Sequence, residues 1–148
     1  MRLRLHAWLT VSAFAAGLLV APGVSTAMAA RLNVMINLSS QSMLVEADAH
    51  VLHSWTVSTA RRGYRTPIGT FRPVRLERVW YSTIYDNAPM PYSVFFHRGY
   101  AIHGTTEISK LGRPVSHGCV RLHPDNARVL FELIRRYGKS ATTIIVRQ

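Results

Sequence analysis

The chain has 148 residues, enough for one domain with a modest core, and nothing in the sequence marks a second domain. Its single cysteine, Cys119, excludes an internal disulfide, so stability rests on packing. The formal charge of +11 favours an anionic partner. Arg61, Arg62 and Arg65, and Arg72, Arg75 and Arg78, are nevertheless dispersed among strand-like segments with no recognisable nucleic-acid module, so a nucleic-acid partner is not expected.

Residues 1–29 read as a secretory signal. Arg2 and Arg4 supply its charged start, Ala7 to Val20 its apolar run, and Ala27-Met28-Ala29 a small-x-small cleavage site. A retained membrane anchor is the alternative, but the run is short against the roughly 20 residues a span requires. Loss of the two arginines leaves a formal charge of +9 on residues 30–148, the expected exported domain.

Alternation over Arg31 to Ile36, a turn at Asn37 to Gln41 and strand character at Met43 to Val45 predict a hairpin. A third strand is expected over Val51 to Ser58. Arg61 to Gly69 carries Gly63, Pro67 and Gly69 and reads as a loop. The alternation of Phe71 to Tyr81 is broken by Pro73, which points to an edge strand or a late strand start. Ile84 to Tyr92, with Asp86-Asn87, Pro89 and Pro91, reads as a second loop. Ser93 to Phe96 and Tyr100 to His103 form two short apolar strands, which puts His103 at a strand end; the polar stretch Thr105 to Pro114 then returns the chain. Over Pro124 to Tyr137, Ala127, Leu130, Phe131 and Ile134 share one helical face. Pro124 suits the first helical position, Asp125 the positive end of the dipole or a cap, Arg135 and Arg136 the last turn, and Gly138 the stop. Ala141 to Val146 is β-branched and closes the chain as a strand. The fold class is therefore mainly β (α+β), with one C-terminal helix followed by a strand.

A lone Cys beside histidines and glycines, in a chain with an export signal, points to a nucleophile. The reactive species is the thiolate, so the site must supply a base and backbone donors. His103 and His117 are both within reach by sequence. A zinc site built on His117, Cys119, His123 and His97 is the rival from another class, but its spacing matches no zinc pattern.

The stretch Ile102 to Leu122, I-H-G-T-T-E-I-S-K-L-G-R-P-V-S-H-G-C-V-R-L, resembles the signature of the L,D-transpeptidase catalytic domain family: a histidine, a spacer, then Ser/Thr-His-Gly-Cys. Thr66-Pro67-Ile68-Gly69-Thr70-Phe71 is similar to the family's T-P-x-G-x-F segment, and Ile36 to Val45 to its opening strand pair. The resemblance implies a β-sandwich with Cys119 as nucleophile and His103 as proton donor and acceptor. It makes the Gly104 carbonyl the orienter of His103, with Glu107 as the rival read from the residues. The N–H groups of His117, Gly118 and Cys119 are the expected oxyanion donors. Arg121 is read either as a fork for a peptide carboxylate or as an ion pair, Ser116 as a substrate contact, and Tyr85 or Tyr92 as a tyrosine offered by a loop over the cleft. The loop Arg61 to Gly69 is either beside the active site or an ordinary turn.

The implied chemistry is attack on a peptidoglycan stem tetrapeptide before its terminal D-alanine, then transfer of the acyl group to an amine. The acceptor is another stem, giving a crosslink, a wall lipoprotein lysine, giving anchoring, or a free D-amino acid, giving exchange. Trimming by water and a catalytically silent wall-binding module are the alternatives. No metal or organic cofactor is expected, and the location is the periplasm or cell wall. By the same resemblance, carbapenems acylate the cysteine.

Overall fold

The computed structural model describes residues 30–148; the leader read in residues 1–29 lies outside them. Strand β1 (Leu32–Asn37) turns Leu32, Val34 and Ile36 inward, and β2 (Ser42–Ala47) does the same with Met43, Val45 and Ala47. The period of two buries one face of each strand, and a one-residue slip would expose every one of these side chains. The hairpin runs in antiparallel register from Leu32 opposite Ala47 to Asn37 opposite Ser42.

Strand β3 (His50–Thr56) lies on the outer edge beyond β2. It begins at His50 and ends before the Ser58 expected from sequence, although Ser58 still pairs with Arg121 as an isolated bridge. Strand β4 (Gly69–Phe71) closes the opposite edge, and β9 (Thr142–Arg147) lies between β4 and β1, parallel to β1. The first sheet therefore has the order β3-β2-β1-β9-β4.

Pro73 marks a change of sheet. Its ring fixes φ and it has no N–H to give a ladder, and the chain resumes as β5 (Arg75–Glu77) on the edge of a second sheet. The edge strand or late start expected over Phe71 to Tyr81 is thus β5, while Phe71 itself closes β4 in the other sheet. The second sheet continues with β6 (Ser93–His97), β7 (Tyr100–Gly104) and β8 (Val120–Leu122), in the order β5-β6-β7-β8. Strand β8 runs parallel to β7. The spacer between them contains a 3-10 turn at Ile108–Lys110.

Helix α1 (Pro124–Tyr137) buries Ala127, Leu130, Phe131 and Ile134, the face given by the periodicity. The cap differs from expectation: His123 occupies the N-cap and its Nδ1 accepts from the Asp125 N–H at 3.3 Å, while Asp125 sits in the first turn near the dipole's positive end. Both sheets and the helix enclose a core that includes Leu32, Val45, Ile102, Val120, Leu130 and Ile144, and a smaller cluster of Met90, Phe95 and Ala101 lies apart from it. Ile134 is fully buried in the larger core. Ile134→Ala is expected to cost about 2–5 kcal/mol of stability, by lost burial and the cavity left behind, as read from urea denaturation.

Candidate active site

The parallel pairing of β7 and β8 builds the site. His103 stands opposite Arg121 in the register, so Cys119 falls beside Ala101 just before β8 begins. Ile102, Val120 and Leu122 point into the core, which leaves His103, Cys119 and Arg121 on the other face. All three line one cleft of about 500 Å³.

His103 is buried, and its Nδ1 lies 2.7 Å from the Gly104 carbonyl oxygen. A carbonyl only accepts, so this contact assigns the proton to Nδ1 and leaves the Nε2 lone pair free to take a proton. Burial lowers the His103 pKa to about 4; the Gly104 bond raises it in part and the Arg121 charge lowers it further. The imidazole is therefore neutral near pH 7. Burial also raises the Cys119 pKa, against the Ala101 N–H, which hydrogen-bonds the sulfur, and the Arg121 charge, both of which lower it. Thiol and imidazole thus rest as a neutral pair, not as thiolate and imidazolium.

Gly104 is tightly enclosed: a Cβ there would lie 3.0 Å from Pro91 Cγ and 3.1 Å from Pro124 Cα. Glu107, the rival orienter, faces elsewhere. Its Oε2 accepts from Arg121 Nη1 at 2.6 Å and its Oε1 pairs with Lys110 Nζ. Arg121 is accordingly an ion-paired residue, but within the cleft and not on the open surface, with its side chain 19% exposed.

The Ser116-His117-Gly118-Cys119 turn is braced from within and from outside. Ser116 is buried; its Oγ donates to the Cys119 carbonyl at 2.7 Å and accepts from the Gly118 N–H at 3.0 Å. Ser116 therefore holds the turn from the cleft wall, with both bonds of its hydroxyl made inside the protein. The Gly118 N–H is correspondingly occupied in the resting turn.

The loop 61–69 lies directly against this turn and is not an ordinary connection. Thr66 Oγ1 donates to the Gly118 carbonyl at 2.9 Å and accepts from the Ala60 N–H at 3.1 Å. Gly118 has φ +136°, and a Cβ there would sit 2.5 Å from Tyr100 Cε1 and 2.9 Å from the Arg65 carbonyl oxygen. Only glycine fits. Gly118→Ala is expected to destabilise the fold by about 1–3 kcal/mol in urea denaturation, with Cys119 displaced.

The two tyrosines separate. Tyr85 lines the cleft and stacks on His117, with ring centroids 4.2 Å apart and planes 11° apart. Tyr92 does not reach it. At φ +54° it turns toward the helix and packs edge-on against Phe131 at 5.7 Å, so its reading as a cleft tyrosine is corrected to core packing. Two contributors were missed from sequence. The Ala101 N–H carries no side-chain signal, and Thr66 was visible only as part of its segment. Among the described residues, no three His, Cys, Asp or Glu side chains converge as a metal site would require.

The L,D-transpeptidase catalytic domain model matches residues 32–146. The chain belongs to that family. Probable L,D-transpeptidase YbiS of Escherichia coli (strain K12) is 45% identical over 49 residues, which are 33% of this chain and 16% of YbiS. An L,D-transpeptidase structure from Stackebrandtia nassauensis is 27% identical with a TM-score of 0.70, covering 80% of this chain and 56% of that one. L,D-transpeptidase 3 from Mycobacterium tuberculosis, in complex with a faropenem-derived adduct, has the same fold at 20% identity and TM-score 0.69, covering 80% of this chain and 61% of that one. This L,D-transpeptidase domain therefore spans a minority of YbiS and under two thirds of either structure.

Proposed function

We propose that the domain is an exported cysteine acyltransferase acting on peptidoglycan stem peptides. The observation that carries this reading is the His103 Nδ1 contact to the Gly104 carbonyl, which frees Nε2 as a base in the cleft that also holds the Cys119 thiol. Family membership supports the reaction class, and the faropenem-derived adduct of the mycobacterial relative supports acylation chemistry on this fold.

As Cys119 Sγ attacks, His103 Nε2 takes its proton, and the carbonyl under attack is the one joining the third, diamino acid residue of a tetrapeptide stem to terminal D-alanine. A tetrahedral oxyanion forms. The backbone N–H groups of His117 and Cys119 meet it, joined by that of Gly118 if its bond to Ser116 loosens; each such donor is typically worth about 100- to 1000-fold in rate. The imidazolium returns the proton to the departing D-alanine nitrogen, the C–N bond breaks, and a thioester remains on Cys119. His103 then takes a proton from an incoming amine, which attacks the thioester carbonyl, and the thiol leaves reprotonated. Arg121 keeps N–H donors beyond the one given to Glu107 and offers them to the terminal carboxylate of the donor stem.

An amine from a second stem gives a crosslink, and a lysine of a wall lipoprotein gives anchoring. Export to the periplasm or wall is part of this proposal, since the donor is found there. The test is to incubate the protein and its Cys119→Ala variant with disaccharide-tetrapeptide and weigh the products. Cys-dependent dimers lacking one D-alanine are expected. Cys-dependent tripeptide alone would replace transfer by trimming, and an unchanged tetrapeptide would favour a silent wall-binding module.

A further inference from the structure

The catalytic scheme uses the backbone of His117 and leaves its side chain without work. That imidazole is nevertheless the meeting point of two loops. Tyr85, from the loop 82–90, lies flat on it at 4.2 Å. Tyr64, from the loop 61–69, meets it edge-on at 4.7 Å and 73°. Arg61 Nη2 lies 2.9 Å from His117 Nε2, and the same guanidinium sits over the Tyr64 ring at 4.9 Å. Burial first, and then the charges of Arg61 and Arg121, lower the His117 pKa, so a neutral Nε2 accepts from Arg61.

The loop 82–90 lines the cleft with Ile84, Tyr85, Asp86 and Met90. Its base is closed: the Ser82 N–H donates to the Ala88 carbonyl, the Met90 N–H to the Trp80 carbonyl, and Tyr81 pairs with Pro89. Among the described residues, its tip has no such fastening to the rest of the domain in its own backbone bonds. Those bonds, from the Ala88 N–H to the Tyr85 carbonyl and from the Tyr85 N–H to Ser82 Oγ, stay inside the loop. Asp86 and Asn87, at φ +44° and +51°, turn the chain there, and Ile84 is 75% exposed.

We infer that the His117 side chain is the latch that holds the loop 82–90 over Cys119, through the Tyr85 stack, and that Arg61 and Tyr64 fix the ring in the orientation the stack needs. The latch sits two residues from the nucleophile, so closing the loop and shaping the cleft around the thiol are one event. His117 is on this account a positioning residue. It acts through Tyr85 and touches no reacting atom with its ring. Aromatic stacking of this kind is worth enough to shift an open-closed balance by about three- to tenfold.

The inference concerns the site of the proposed reaction, but its test does not need turnover. Cys119 is the only thiol, so its alkylation by small N-ethylmaleimide and by a bulky maleimide-polyethylene glycol can be timed in the intact protein. The ratio of the bulky to the small rate reports access and cancels changes in thiol reactivity. Tyr85→Ala and His117→Ala are each expected to raise that ratio about three- to tenfold, and the double variant is expected to raise it no further, because both break one contact. His117→Phe keeps a stacking face and is expected to stay within about twofold of the parent. Tyr85 is partly exposed, so its variant folds even if His117→Ala does not. An unchanged ratio in Tyr85→Ala overturns the latch, as does an additive double variant. A ratio for His117→Phe equal to that of His117→Ala would assign the closure to the Arg61 bond and overturn the stack.

Discussion

Cys119→Ala is expected to lower kcat/KM for acyl transfer from a tetrapeptide stem by at least about 10⁴-fold, because the chain has no other thiol to carry the proposed thioester. The fold should barely notice. Cys119 is only half-buried and Ala keeps its Cβ, so the urea midpoint should imply a stability change within about 1 kcal/mol. The combination separates chemistry from folding: a variant that loses both would show only that the turn had collapsed. Binding of the tetrapeptide should survive, since the cleft wall and Arg121 are intact in the variant. Turnover near that of the parent protein would remove Cys119 from the reaction.

His103→Gln carries the second large effect, and it can be read in two independent ways. Loss of the base and acid should slow the acylation step by about 10²- to 10⁴-fold at pH 7, measured as the single-turnover rate. The pH dependence of stability should change as well. The folded pKa of His103, about 4, lies below the unfolded value near 6.5, so the unfolded chain binds the extra proton between those limits. Stability contributed by the neutral imidazole is therefore complete above about pH 6.5 and lost as the pH falls toward 4. The size is on the order of 3 kcal/mol for a group this buried. Urea titrations from pH 4 to 7 should show that slope in the parent protein and a slope flatter by about that amount in His103→Gln. The acid limb of kcat/KM should fall near pH 4, not near 6.5, in the parent. An acid limb at 6.5 would mean that the imidazole is solvated in the working enzyme.

Much of the scaffold was legible because it follows simple periods. Leu32, Val34 and Ile36 alternate inward, and Ala127, Leu130, Phe131 and Ile134 mark one face of a helix. Strand β8 was not legible. Three residues, Val120 to Leu122, are too few to show a period, and their pairing with β7 is a long-range event. Pro73 announced a break, yet the identity of the two sheets on either side of it depends on partners far along the chain.

The site divided in the same manner. His103 and Cys119 were placed together by family resemblance, and the register of β7 and β8 gives the physical reason they share a cleft. Tyr85 and Tyr92 could not be told apart by sequence, because which one faces the cleft is decided by positive φ values at Asp86, Asn87 and Tyr92. Glu107 was the chemically sensible partner for an imidazole, and Arg121 and Lys110 claim it instead. Ser116 stood out by its place in the motif, but a motif does not show which way a hydroxyl points, and here it bonds the Cys119 carbonyl and the Gly118 N–H. Ala101 could not be found at all, because a backbone N–H belongs to every residue that is not proline.

The central claim is that Cys119 becomes covalently acylated with His103 as its base. The most direct measurement is the intact mass of the protein after brief exposure to faropenem, followed by peptide mapping of the adduct. One adduct per chain is expected, located on Cys119, absent from Cys119→Ala and formed about 10²- to 10⁴-fold more slowly in His103→Gln at pH 7. An adduct on another residue, or one that forms as fast without His103, would contradict it.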